Sequence, residues 1–183
     1  MHPAFLYLPG AALTVSELTA ARLDGHLFEI GDGFIPADLV EACGTRAASI
    51  AGLIPVDTAA SGPTAAWIHG AGDSPPAIHH VRRAVERRIR SNRVARVVLH
   101  DTSVPSVELE VLGGVVVMTR VRTMVDLALG LHRDESLMRW LILLAEIDET
   151  LVDAAIRHVD GLVRVPGTRA ARAALVRTAI RTR

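Results

Sequence analysis

The densest run of side chains able to do chemistry in this sequence is basic: Arg82, Arg83, Arg87, Arg88, Arg90, Arg93 and Arg96. A guanidinium holds phosphate through paired hydrogen bonds and stays charged at any working pH, so this spacing points to a polyanion backbone. Arg169 and Arg172 open a second basic stretch, followed by Arg177 and Arg181, which also oppose a helix dipole favourably. Asn92, the one asparagine, is the only amide able to read a base edge, although a turn residue is its commoner role.

His79 and His80, with His100 and Asp101, are the one cluster of metal-type ligands. If their strands pair antiparallel they converge, but adjacent histidines on a strand face opposite sides, so only one of the first pair joins any site. A metal-dependent hydrolase built on them is a disfavoured reading, and ordinary strand histidines the expected one. Ser103 and Ser106 lie in a polar stretch with no nucleophile-elbow context. Glu108 and Glu110 alternate with apolar residues and read as a solvent-facing edge, not a carboxylate dyad. The expectation is no catalytic residue, no metal and no cofactor.

The chemistry left out is as informative. All 20 basic residues among the 183 are arginines, so every mechanism that needs a lysine amine is excluded: P-loop phosphate binding, Schiff bases, the usual acid-acid-lysine nuclease. One cysteine, Cys43, rules out an internal disulfide and a cysteine-based zinc cage and favours a reducing cytoplasm. No apolar run reaches the roughly 18 residues of a membrane span, and no signal peptide is evident. Net charge is zero but blocked: residues 1–78 carry −6, 79–100 carry +6, 101–163 carry −6 and 164–183 carry +6. Two readings follow, basic segments lying against acidic ones inside one fold, or a polyanion-binding patch.

These residues must be positioned by elements of both kinds. Thr14 and Glu17 form a capping box for a helix over 14–23. Gly31, Asp32 and Gly33 turn a hairpin between 26–30 and 34–36, with Phe28, Ile30, Phe34 and Ile35 as its packing surface. Helices are expected at 46–53 and 64–69, strands at 77–81 and 94–99 joined by an arginine-rich connection, and a hairpin over 107–118 turned at Gly113 and Gly114. Thr119 caps a helix whose Val121, Met124, Val125, Ala128 and Leu131 share a face, and on which Arg122 and Asp126 are spaced to pair. Helices over 134–147, 149–159 and 168–182 complete an α+β fold: a degenerate winged-helix remnant, a small mixed or antiparallel sheet and a helical C-terminal tail.

Four stretches together resemble the AbiEi family of antitoxins from type IV, abortive-infection toxin-antitoxin systems. They are residues 13–38, residues 64–72 (TAAWIHGAG), residues 79–101 with HHVRRAVERRIR and RVVLHD, and residues 115–128 (VVVMTRVRTMVDLA). The family's Thr-x-x-Arg-Thr-x-x-Asp-Leu-Ala element falls on Thr119, Arg122, Thr123, Asp126, Leu127 and Ala128, with Arg120 where the family often has proline. The resemblance implies an α+β antitoxin that binds its own promoter, represses its operon and counters a nucleotidyltransferase-like toxin.

The family's winged helix is expected to be truncated, residues 13–38 supplying its last helix and wing. Glu17, Asp24, Glu29 and Asp32 make that remnant a poor match for a phosphate-lined groove, so DNA contact is expected at Arg82, Arg83, Arg87, Arg88, Arg90, Arg93, Arg96, Arg169 and Arg172. Thr119, Arg122 and Asp126 are expected to be structural. Residues 1–38 form the winged-helix-like segment and residues 39–183 the AbiEi C-terminal-like domain. The alternative is a module without DNA binding whose charge blocks dock a toxin or a second copy of the chain; a nuclease relative ranks lowest.

Overall fold

The computed structural model describes residues 5–89 and 95–182. Helix α1 (Val15–Leu23) starts at the capping box: Thr14 Oγ1 accepts the Glu17 N–H, and the Glu17 carboxylate accepts the Thr14 N–H at 2.8 Å. Strands β1 (Leu27–Ile30) and β2 (Gly33–Pro36) then pair antiparallel with Ile30 opposite Gly33, and Gly31 takes the positive φ, +55°, of a two-residue hairpin. Ile30, Phe34 and Ile35 are buried as expected, whereas Phe28 is exposed.

The helix expected over 46–53 begins earlier, as α2 (Cys43–Ser49), and tightens into a 3-10 turn at Ala51–Leu53. Gly52 and the approach to Pro55 do not sustain an α-helix. Arg46 anchors α2: its Nε donates to Glu41 at 2.7 Å, its Nη1 donates to the Trp67 and Gly72 carbonyls, and its guanidinium lies 5.4 Å from the Trp67 ring centroid.

Five strands form the main sheet: β3 (Thr58–Ala60), β4 (His79–Arg83), β5 (Val97–Ser103), β6 (Leu109–Leu112) and β7 (Val115–Met118), in the order β5-β4-β3-β7-β6. β3 pairs antiparallel with β4 and parallel with β7, while β6 and β7 form the antiparallel hairpin turned at Gly113 and Gly114. The strands expected at 77–81 and 94–99 are displaced toward the C-terminus. Pro75 and Pro76 cannot donate to a ladder, so β4 starts at His79 and takes in Arg82 and Arg83. β4 and β5 run parallel, not antiparallel, with Arg82 beside His100.

Helices α3 (Gly62–Ile68), α4 (Arg120–Gly130), α5 (Leu137–Ile147), α6 (Thr150–Asp160) and α7 (Thr168–Thr182) complete the fold, which is α+β. Thr119 caps α4 by accepting the Arg122 N–H at 3.4 Å. α4 touches α3, α5, α6 and α7, and its Met124, Val125, Leu127 and Ala128 bury against Leu141, Leu144, Val152 and Leu175. A second core, Trp67, Ile68, Val117 and Met118 with Ile30, Ile35 and Ile50, lies against the sheet and receives the N-terminal hairpin. Truncating a side chain in either core costs about 2–5 kcal/mol. Among the described residues no helix is long and apolar enough to cross a membrane.

Candidate functional site

β4 presents its residues alternately to the two faces of the sheet, and this separates the histidine pair. His79 is fully buried, and neither of its ring nitrogens makes a hydrogen bond. His80 is fixed through its backbone: its N–H donates to Thr64 Oγ1 at 2.8 Å, and its carbonyl accepts the Ser61 N–H at 2.9 Å, which ties β4 to the start of α3. From that position His80 Nδ1 meets His100 Nε2 of β5 at 3.0 Å, with the two rings stacked at 5.2 Å. One neutral ring donates and the other accepts. Burial pushes the pKa of both rings below the ordinary 6.5. The parallel register brings these rings together, in place of the antiparallel convergence expected. Among the described residues no three His, Cys, Asp or Glu side chains are arranged to hold a metal ion.

Arg82 shares the His80 face. Its Nη2 lies 2.6 Å from Asp126 Oδ1 of α4, and its Nη1 donates to Thr102 Oγ1 at 2.6 Å; the Arg82 and Asp126 side chains are 17% and 11% exposed. Arg122 and Asp126 therefore do not pair with each other. Arg122 Nη1 instead donates to Glu108 Oε2 at 2.6 Å, and Glu108 Oε1 lies 3.2 Å from His158 Nε2 of α6. Two side chains from other elements, Arg82 and Glu108, take the α4 partners, so the pairing within one helical turn loses the competition. Glu108, expected at a solvent-facing edge, is largely buried in this network.

The remaining arginines divide by exposure. Arg83 Nε lies 3.0 Å from Asp101, and its Nη1 donates to the Glu86 carbonyl; with its side chain mostly buried, it is turned inward like Arg82. Arg87 pairs with Asp57, Arg88 approaches Asp101 at 3.8 Å while 88% exposed, and Arg96 meets Asp32 at 3.0 Å. On α7, Arg172 pairs with Asp160 at 2.8 Å, and Arg169 is exposed with no acid in pairing range among the described residues. Arg90, Asn92 and Arg93 lie outside the described residues. Of the nine arginines expected to contact DNA, Arg82 and Arg83 are thus engaged internally. Desolvated strand positions require a counter-charge, and Asp126 and Asp101 supply it.

His80, His100, Arg82, Arg122 and Asp126 all line one cleft of about 600 Å³ between the sheet edge, α4 and the loop before α7. Arg133 and Asp134 stand at the same cleft, and Leu127, Leu129, Leu137 and Val165 give it an apolar side. Residue types alone marked His80 and His100, but not Arg133 or Ser61. Only the loop after α4 and the start of α3 bring those two to the cleft, and no spacing in the sequence encodes that.

The family model of the AbiEi antitoxin C-terminal domain matches residues 58–176, from β3 into α7 and well over half of the chain. A comparison with curated proteins finds no match.

Proposed function

Because the chain belongs to the AbiEi antitoxin family, we propose that it is an antitoxin that also represses its own operon by binding promoter DNA. The contacts are made by Arg87, Arg88 and Arg96 of the β4–β5 connection, joined by Arg90 and Arg93, with Arg169 and Arg172 of α7 as a second contact. The observation that carries this reading is the exposure of Arg87 and Arg88, whose partners Asp57 and Asp101 hold them only by surface ion pairs. Such pairs contribute about 0–1 kcal/mol, so a phosphate that accepts two hydrogen bonds and releases counterions displaces the carboxylate. Protein held on the promoter then blocks transcription by occupancy.

In this reading residues 13–38 are a winged-helix remnant that serves packing. Glu17 lies in the first turn of α1 and Asp24 at its C-terminal end, Glu29 and Asp32 lie on the hairpin, and Ile30 and Ile35 are committed to the sheet core. The partner countered is a nucleotidyltransferase-like toxin, and the antitoxin acts without catalytic residues of its own. Fluorescence anisotropy with DNA from upstream of its coding sequence tests the proposal. Binding that weakens steeply with salt is expected; no binding at low salt by folded protein overturns it.

One observation favours a second reading. Arg82, Arg83, Arg87, Arg96 and Arg172 all meet acids of the same chain, which is the pattern of a module whose charge blocks neutralise one another and which docks a toxin without touching DNA.

A further inference from the structure

The cleft beside α4 has the capacity of a small-molecule site, and its chemistry is asymmetric. Deep in it, Arg82 and Arg122 are already matched by Asp126 and Glu108. At its rim the balance changes. Arg133 is exposed, and no acid among the described residues lies within pairing distance of it. Its neighbour Asp134 is turned to Ser136 instead, accepting that residue's N–H at 3.0 Å and its hydroxyl at 2.6 Å. Among the described residues no carboxylate pairs with that cation; Asp134, which stays charged, lines the same cleft and acts on His80 from a distance.

The imidazole pair adds donors. Whichever ring of His80 and His100 donates to the other, the neutral pair keeps one outer N–H and one outer lone pair. Uptake of a single proton turns both outer nitrogens into donors, and an adjacent dianion favours that proton. Ser61 also lines the cleft, is 1% exposed, and its Oγ makes no hydrogen bond within the protein. A buried hydroxyl left without a partner is costly, and a ligand oxygen or a water carried with it relieves the cost. Leu127, Leu129, Leu137, Val165 and Pro166 also line the cleft and give it apolar surface that suits a flat or apolar body and not a bare ion.

We propose that this cleft binds a phosphomonoester of nucleotide size, its phosphate held by Arg133 and the His80–His100 pair and its organic part lying on the apolar surface. Among the described residues assigned to DNA, Arg87, Arg88, Arg96, Arg169 and Arg172 do not line it.

Isothermal titration of the full chain with adenosine 5′-monophosphate, adenosine and inorganic phosphate tests this. The monophosphate is expected to bind about tenfold or more tightly than either fragment, because a hydrogen bond to a charged group discriminates by about that factor. Arg133→Ala and His100→Ala are each expected to weaken it by about tenfold, while Arg88→Ala leaves it unchanged. Arg133 is exposed and unpaired among the described residues, so its alanine variant keeps the fold and remains a fair test if the histidine variant does not. Adenosine binding as tightly as its monophosphate, inorganic phosphate binding as tightly as the monophosphate, no binding at millimolar concentration, or an Arg133→Ala variant with full affinity would each overturn the proposal.

Discussion

Arg82 of β4 and Asp126 of α4 meet at 2.6 Å across the junction of sheet and helical core, although Arg122 stands one helical turn from the same carboxylate. Asp126→Ala therefore strands the Arg82 guanidinium, not that of Arg122, and is expected to cost about 3 kcal/mol. Urea denaturation of a double-mutant cycle separates the two pairings. Coupling of about 1–3 kcal/mol is expected between Arg82 and Asp126, and less than about 0.5 between Arg122 and Asp126. The reverse order would mean that the helix pair forms in solution.

The turn of the β6–β7 hairpin is packed against the start of α2. A Cβ at Gly113, whose φ is +54°, would stand 2.0 Å from the Gly44 carbonyl oxygen. Gly113→Ala is expected to destabilise by more than the roughly 1 kcal/mol of a strained turn alone, because a backbone atom must move. Gly114→Ala, with open space around it, should cost only that strain. Equal losses for the two variants in thermal melts would show that the packing against α2 is not formed.

How much of this was legible follows the range of each interaction. The Thr14–Glu17 box, the Thr119 cap and the Gly113–Gly114 turn depend on residues three or four apart, and all three are found where their residue types place them. The partners of Arg82, Arg122 and Glu108 depend on how strands and helices meet, which no local pattern specifies. The parallel register of β4 and β5 belongs with these, and it decided which histidines touch. At the cleft, His80 and His100 were visible as residue types, while the unopposed charge of Arg133 emerges only once Asp134 is seen turned to Ser136.

His79 is placed by the alternation along β4: it is fully buried, with both ring nitrogens unpartnered. An unsatisfied buried polar group costs about 1–3 kcal/mol. His79→Leu keeps the volume, removes the orphaned nitrogens and is expected to raise the melting temperature. A melting temperature lowered by several degrees would mean that the ring makes hydrogen bonds in solution.

Acid should destabilise the protein in two stages. Burial holds the pKa of His69, His79, His80 and His100 below the ordinary 6.5. A histidine depressed in the folded state binds its proton more readily when unfolded, so its contribution is complete above 6.5 and is lost as pH falls below that value. Hydrogen bonds from Ser136 and Thr150 hold Asp134 and Asp148 below 3.8, and their contribution is lost only under more acid conditions. Melting temperatures are expected to be level above about pH 7 and to fall steadily from 6.5 downward. A rise between pH 6.5 and 5 would contradict the neutral state of the buried histidines.

The most direct measurement is the salt dependence of DNA binding for the wild-type chain and for a variant carrying Arg87→Ala, Arg88→Ala and Arg96→Ala together. These side chains are exposed and hold only surface ion pairs, so thermal stability should change little. The slope of log affinity against log salt is expected to flatten by about 0.9 for each phosphate no longer neutralised, at every DNA sequence tested. An unchanged slope accompanied by a large drop in stability would contradict the account, because it would make these arginines internal partners of the acidic segments and leave the chain without the DNA-binding surface proposed for it.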